Sequence, residues 1–376
     1  MIQGRKEIKM LKIIDCNKTE LSHKMREKNT YCFGAGKLFL HFLQECHPAN
    51  ILAVIDNDIN KQGEAVAYDE NRYDMISLQQ YLDRRSPNDL MIITSYAFDK
   101  MIEQLDALSI SEEIECVVYL LTRESVEQSP EIHVQMPSVQ MIPKTIHYCW
   151  FGQKEIPDAL HKNIESWKKY CQDYEIIQWN ESNYDVNKCL YMQQAYEAKK
   201  WAFVADYARI DVLNMYGGIY FDTDVEVIKS FDEFLVWELF AGFESDSYVA
   251  SGLGMGAVQN QRILAKILEY YNHHSFVKID GIFDETPCPV LESNVLKQEG
   301  FTMNGQFQML NGVAIYPRDY FNPRGYVKGL GNITKNTHSI HKFEASWCGE
   351  QHHNQNHIME CKVAKVRERI GNQKGE

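Results

Sequence analysis

Residues 216–224, Tyr-Gly-Gly-Ile-Tyr-Phe-Asp-Thr-Asp, set two carboxylates at i and i+2 after an apolar segment that leaves a glycine pair. On an extended chain alternate side chains share a face, so Asp222 and Asp224 point together while Thr223 points away. Hard cations such as Mg²⁺ and Mn²⁺ take oxygen ligands and bridge carboxylates to substrate phosphates. The expected chemistry is a metal ion holding a pyrophosphate. The plainer reading is a solvated turn at a strand end, since Asp and Thr are ordinary turn residues.

The segment upstream favours the metal. Trp201 to Tyr216 reads as a helix that is apolar on most faces and therefore buried. Within it Asp206 and Arg209 are i, i+3 neighbours. Either charge buried without a partner would cost several kcal/mol, so they pair with each other or meet a polyhydroxylated ligand. Gly217 and Gly218 end this helix, where a left-handed residue is usually Gly, and let backbone approach a ligand closely.

Five stretches in order then resemble glycosyltransferase family 32: Ile-Pro-Lys-Thr-Ile-His-Tyr-Cys-Trp-Phe-Gly at 142–152, Ser-Trp-Lys-Lys-Tyr-Cys at 166–171, Ala-Asp-Tyr-Ala-Arg at 205–209, the 216–224 run, and His-Ser-Ile-His at 338–341 before Ser346-Trp347. The resemblance spans about two hundred residues, roughly 142–347. It implies a GT-A fold, a nucleotide-sugar donor, Mn²⁺ or Mg²⁺ as cofactor, and transfer with retention of anomeric configuration. The family includes bacterial capsule and lipopolysaccharide sugar transferases, and it is distantly similar to the glucosylating domains of large clostridial toxins. By the resemblance, Trp150 stacks on the nucleobase with Tyr148 and Phe151 beside it, and Gly217 and Gly218 line the donor site. Asp206 and Arg209 contact sugar and ribose hydroxyls. Asp222 meets the ribose and the metal, Asp224 is the direct metal ligand, and Ser346 and Trp347 meet the diphosphate and the leaving oxygen. His341 is the third metal ligand, with His338 as its competitor.

The metal would neutralise charge developing on the departing nucleoside diphosphate. Retention requires either a carboxylate nucleophile or front-face attack in which the leaving phosphate takes the acceptor's proton. Glu244, Asp246, Asp280, Asp284 and Glu285 follow the metal segment, and nothing in the sequence ranks one above the others as a catalyst. The implied acceptor is a glycan or lipid-linked oligosaccharide in bacterial surface polysaccharide synthesis, and the implied donor is UDP-linked, carrying a hexose or N-acetylhexosamine. Alternatives are a toxin-like transferase acting on protein and a non-catalytic sugar-nucleotide-binding regulator. Asp-Thr-Asp-Val also fits the haloacid-dehalogenase phosphatase signature, with Asp222 as nucleophile, but that reading gives the Asp206/Arg209 helix no role.

The chain has 376 residues, more than a single core usually serves, so two domains are expected. The fold class is α/β: a GT-A transferase domain at 139–350 preceded by a smaller Rossmann-like parallel-sheet domain at 1–122. Residues 123–138 form a linker without clear period, and 351–376 form a basic helical tail. Ten scattered cysteines read as free thiols in a reducing compartment. No apolar run reaches the length of a membrane span and no charged-then-apolar leader opens the chain, which together predict a cytoplasmic protein. A net charge of −13 argues against a nucleic-acid partner.

In the first domain Thr30 to Phe33, Gly34-Ala-Gly36, a helix from Lys37 to Glu45 and Ile51 to Asp56 make a βαβ opening, followed by strands at Met91 and at 115–121. Gly34, Gly36 and Asp56 partly match a dinucleotide fingerprint, but Phe39 replaces the third glycine. A scaffold or a regulatory nucleotide pocket is expected there rather than hydride transfer. In the tail, His353, His357 and Cys361 share a helical spacing that could hold zinc, with polar surface as the alternative. From Cys361 onward five Lys or Arg face two Glu, with Val363, Val366 and Ile370 on one side. Such a helix can lie peripherally on an anionic membrane or pack on its own domain.

Overall fold

The computed structural model describes residues 10–46, 50–135, 137–324, 331–344 and 350–374. The chain forms two compact units, Met1–Ser125 with Asn354–Glu376, and Val126–His353.

The first unit begins β1 (Lys12–Ile13), α1 (Lys18–Glu27), β2 (Asn29–Phe33), α2 (Lys37–Cys46) and β3 (Ile51–Ile55). It continues with β4 (Ala65–Tyr68), β5 (Asn71–Ile76), α3 (Leu78–Arg84), β6 (Asp89–Ile93), α4 (Phe98–Asp106), β7 (Glu115–Val118) and α5 (Tyr119–Glu124). Among the described residues the strands make one seven-stranded sheet in the order β1-β7-β6-β2-β3-β5-β4. Its pairs are parallel except β4 with β5. The central strands read as almost unbroken apolar runs because helices cover both faces of a parallel sheet, and Leu90 to Ile93 are fully buried.

The sequence suggests a single strand over 115–121, but the strand ends at Val118 and α5 begins. Helical spacing brings Tyr119 and Arg123 to the same side. There the Tyr119 hydroxyl donates to Glu45 Oε2 at 2.8 Å and Arg123 Nε donates to Glu45 Oε1 at 2.8 Å. On a strand the two would share a face but stand about 13 Å apart, too far to meet one carboxylate.

Helix α12 (Glu350–Lys374) buries Val363, Val366 and Ile370. Arg369 clamps Asp106 of α4 with bonds of 2.6 and 2.8 Å. The apolar side that the sequence offers to a membrane is therefore packed within its own unit. Among the described residues no helix is long and apolar enough to cross a membrane.

The second unit opens with β8 (Thr145–Cys149), α6 (Asp158–Tyr170), β9 (Glu175–Trp179), α7 (Leu190–Glu197), α8 (Trp201–Tyr216) and β10 (Gly218–Tyr220). Then come β11 (Val225–Val227), β12 (Leu239–Ser245), β13 (Tyr248–Ala250), β14 (Met255–Ala257), α9 (Arg262–His273) and α10 (Cys288–Gln298). β15 (Gln308–Leu310), β16 (Val313–Tyr316), α11 (Arg318–Phe321) and β17 (Ser339–His341) complete it. Among the described residues seven strands run β15-β16-β12-β14-β10-β8-β9, with β13 added on β12, and β11 pairs β17 in a separate ribbon. β8 pairs in parallel with β9 and β10, while β14 runs antiparallel to β10 and β12, so the sheet is mixed. One apolar cluster, including Val204, Ala208 and Leu213 of α8, lies on one face. A second, centred on Trp167, Phe221, Phe231 and Phe234, holds the segment that carries the two aspartates.

Candidate functional site

α8 occupies the span expected for it and stops at Gly217, whose φ of 66° ends the helix in the left-handed region. Gly218 follows at φ 106°, and a Cβ there would stand 2.6 Å from the Thr145 carbonyl. His147 fixes this crossing. Its Nε2 donates to the Gly217 carbonyl at 2.8 Å, while Nδ1 accepts from Trp179 Nε1 at 3.1 Å. That pattern needs neutral imidazole, in keeping with burial, which lowers the pKa of this histidine.

β10 ends at Tyr220, so Asp222 and Asp224 do not lie on an extended strand as the i, i+2 argument assumes. They sit in a tight turn, in which Val225 N donates to Asp222 O at 3.0 Å. The carboxylates still converge because the turn is held on both sides. Asp222 N donates to Gly252 O at 3.0 Å, and Lys342 N donates to Asp224 O at 3.1 Å. A solvated turn would lack such partners.

The β11–β17 ribbon pairs Val225 with His341, which brings the imidazole to Asp224. His341 Nε2 lies 3.1 Å from Asp224 Oδ1. Asp222, Asp224 and His341 each offer a ligand atom, all within 4.8 Å of one another, the one such cluster of His, Cys, Asp and Glu among the described residues. Burial would raise the Asp224 carboxyl, but His341 and the Glu344 amide hold it below its usual value. Burial likewise works against the imidazolium, yet Asp224, with Asp222 and Glu244 behind it, raises His341. His341 Nδ1 is buried with no hydrogen-bond partner.

These residues fit a divalent cation. Two carboxylates and an imidazole are a donor set for Mn²⁺ or Mg²⁺ with room for substrate phosphate oxygens. Gly252 packs directly against the Asp222 carboxylate, since a Cβ on it would come within 2.0 Å of Asp222 Oδ2. His338, the competing histidine, is elsewhere: its Nδ1 donates to Ser230 O at 2.8 Å and its ring stacks on Tyr320.

Beside the cluster stands Arg209, buried at 5 % exposure. Its Nη2 reaches Asp222 Oδ1 at 3.0 Å and Asp206 Oδ1 at 3.2 Å, and its guanidinium lies 5.1 Å from the Tyr220 ring centroid. Tyr220 OH also donates to Asp222 Oδ1, at 3.2 Å. Burial pushes Asp206 up to about 6 against the pull of Arg209. The helix pair and the metal pair are thus one network, which the sequence alone leaves as two.

Trp150 follows β8, half-buried, with Nε1 donating to Lys154 O at 2.7 Å. Tyr148 and Phe151 are core residues on either side of it, packed edge-on against Trp167 and Tyr184. Ser346 and Trp347 lie outside the described residues. Asp280, Asp284 and Glu285 belong to a separate loop, where Asp284 pairs with Lys278 and Glu285 with Lys200. In the tail helix, His357 Nε2 lies 3.9 Å from Cys361 Sγ.

Sequence reasoning missed Ser251, Gly252 and Glu292. In sequence Ser251-Gly-Leu-Gly offers either a flexible turn or strand that could let an acceptor approach or, preferred, a plain connection; in the fold it packs against Asp222. The available signal was Glu292 itself, an acid close to Val290, Leu291, Val295 and Leu296 in one helix.

Residues 157–241 match the glycosyltransferase sugar-binding region containing a DXD motif. That span holds Asp206, Arg209, Asp222 and Asp224. An uncharacterized glycosyltransferase of Acanthamoeba polyphaga mimivirus is 31% identical over 104 residues, 25% of this chain and 40% of the relative. The chain therefore carries a glycosyltransferase region of the DXD type, while spanning about two fifths of the length of that relative. Among solved structures, the PaToxG glycosyltransferase overlaps at 20% identity and TM-score 0.33, over 42% of this chain and 69% of its own. A glycosyltransferase involved in glycosylation of the major capsid of PBCV-1 overlaps at 11% identity and TM-score 0.31, over 57% and 99%.

Proposed function

We propose that the chain is a metal-dependent, retaining glycosyltransferase of the family 32 type. It moves a hexose or N-acetylhexosamine from a UDP-linked donor to a glycan acceptor in bacterial surface polysaccharide synthesis, at the cytoplasmic face of the membrane. The observation that carries the reading is the convergence of Asp222, Asp224 and His341 beside the Asp206–Arg209 pair. In this reading the second unit is a GT-A domain, and the first is a Rossmann-like scaffold.

When bound, Mn²⁺ or Mg²⁺ supplies Lewis-acid charge neutralisation at the diphosphate. Asp222, Asp224 and His341 would hold it. Arg209 adds fixed positive charge in a site where water is scarce and such charge acts strongly. Asp206 accepts from donor-sugar hydroxyls. Arg209 Nη2 engages one oxygen each of Asp206 and Asp222; transfer in this reading is a front-face attack, which needs no carboxylate nucleophile. The bond between the anomeric carbon and the phosphate oxygen breaks with its electron pair going to phosphate. The acceptor hydroxyl oxygen bonds the same face of that carbon, and its proton passes to the departing phosphate oxygen.

The scaffold role of the first unit is supported by Asp56. Its Oδ2 accepts from Ala35 N at 3.0 Å and from Lys61 Nζ at 3.3 Å, and its Oδ1 accepts from Asp58 N at 2.9 Å. The acid that would hold a ribose is bound to its own glycine turn.

A panel of UDP- and GDP-sugars with simple glycan acceptors tests the reading, with product anomers assigned by NMR. One UDP-sugar giving a product of retained configuration is expected. An inverted product contradicts the mechanism, and transfer that survives EDTA contradicts the metal.

A further inference from the structure

Glu292 of α10 is 1 % exposed among buried Leu291, Val295 and Leu296, and both of its oxygens are used on one residue. Ser251 N donates to Glu292 Oε2 at 2.8 Å, and Ser251 Oγ donates to Glu292 Oε1 at 2.5 Å. We infer that Glu292 is a positioning residue for Asp222, acting through Ser251 and Gly252; this rests on the metal-dependent reading above.

The chain of contacts is continuous. Ser251 Oγ accepts from Arg209 Nη1 at 3.5 Å, and Arg209 Nη2 bonds Asp222 Oδ1 at 3.0 Å. By the main chain, Gly252 O accepts from Asp222 N at 3.0 Å. Gly252 also presses on the carboxylate itself: an added Cβ would meet Asp222 Oδ2 at 2.0 Å and Arg209 Nη1 at 3.1 Å. The Ser251–Leu253 turn therefore touches Asp222 by backbone, by packing and through Arg209.

That turn is only weakly closed by its own backbone. It is a single 3₁₀ turn, intrinsically weak, and its closing bond from Gly254 N to Ser251 O is long, at 3.4 Å. Glu292 anchors the first residue of the turn from a helix whose Leu291, Val295 and Leu296 are buried. Keeping an acid there is costly. Burial pushes its carboxyl up to about 8, against the Ser251 bonds and Arg209, and with Asp206 adding to the rise. The neutral acid keeps the same two contacts with Ser251, and a leucine would fill the space but leave the Ser251 amide unpartnered.

Outer residues that orient a metal ligand typically change metal affinity by about 10–100-fold when removed. The test is Mn²⁺ binding to the full chain, followed by water-proton relaxation, with circular dichroism and thermal unfolding as checks of fold. Glu292→Leu should bind Mn²⁺ at least about tenfold more weakly, while Glu292→Gln, whose amide oxygen and nitrogen replace both contacts, should keep wild-type affinity. A folded Glu292→Leu variant with wild-type affinity overturns the inference, as does a Glu292→Gln variant as impaired as the leucine one. If the leucine variant does not fold, Ser251→Ala decides: weaker Mn²⁺ binding supports the inference and unchanged binding overturns it. Wild-type protein that takes up no Mn²⁺ overturns both this and the metal-dependent reading, whereas normal uptake with unaffected variants overturns this alone.

Discussion

Asp224 Oδ1 and His341 Nε2 lie 3.1 Å apart because the β11–β17 ribbon sets His341 opposite Val225, one residue beyond the aspartate. In the proposed reading this pair would take the cation, together with Asp222. Asp224→Ala should therefore abolish Mn²⁺-dependent turnover, a loss of several kcal/mol of transition-state stabilisation or more than about 100-fold. The fold should survive, since the turn's backbone bonds remain. Near-normal turnover in folded Asp224→Ala sinks the metal assignment.

Arg209 balances two carboxylates at once, Asp206 and Asp222. Removing it as Arg209→Met strands buried negative charge and should destabilise the protein by about 3–5 kcal/mol. Arg209→Lys should recover only part of this, because one ammonium cannot reproduce a planar fork between two acids and a hydroxyl. Urea unfolding of the three proteins measures the order, and equal stability of the Lys variant and wild type refutes the argument.

Glu292 predicts an unusual pH trend. Between its ordinary 4.5 and the folded value of about 8 the native protein holds a proton that the unfolded chain has released. Stability from this group is thus fullest at low pH and declines as pH rises through that window. Glu292→Gln should flatten the slope relative to wild type. Denaturation curves taken between about pH 5 and pH 8 give the comparison, and parallel slopes in the two proteins speak against a neutral buried acid.

Asp56 should matter to its own unit and not to transfer. Asp56→Ala frees the Ala35 and Asp58 amides and removes a Lys61 contact, a cost of about 1–3 kcal/mol in stability. Turnover by the folded variant should match wild type. A large drop in turnover with little loss of stability would instead mark the glycine turn as a ligand site that governs activity.

Much of this site is legible in sequence because its parts are local. The apolar run from Trp201 to Tyr216 with a glycine pair behind it specifies the helix and its end, and Asp206 and Arg209 follow from helical spacing. The convergence of Asp222 and Asp224 is readable, but its cause is not. The i, i+2 rule assumes a strand, whereas the carboxylates meet in a turn held by Gly252 and Lys342, neither of which a local pattern connects to it. His341 enters only through resemblance, since strand pairing across the unit brings it in. Tyr148 and Phe151 show the opposite limit. Aromatics flanking a binding residue carry the same pattern as aromatics in a core, and these two pack in the core. Glu292 is visible as an anomaly, an acid at an apolar position, but its partner Ser251 is fixed only by tertiary packing.

The measurement that bears most directly on the account is release of nucleoside diphosphate from a UDP-sugar as Mn²⁺ is titrated, with wild type and Asp224→Asn side by side. Saturable, Mn²⁺-dependent release by wild type, abolished by EDTA and lost in the variant, is the predicted result. Equal release from both proteins, or release indifferent to Mn²⁺, would contradict a metal-dependent glycosyl transfer centred on Asp222, Asp224 and His341.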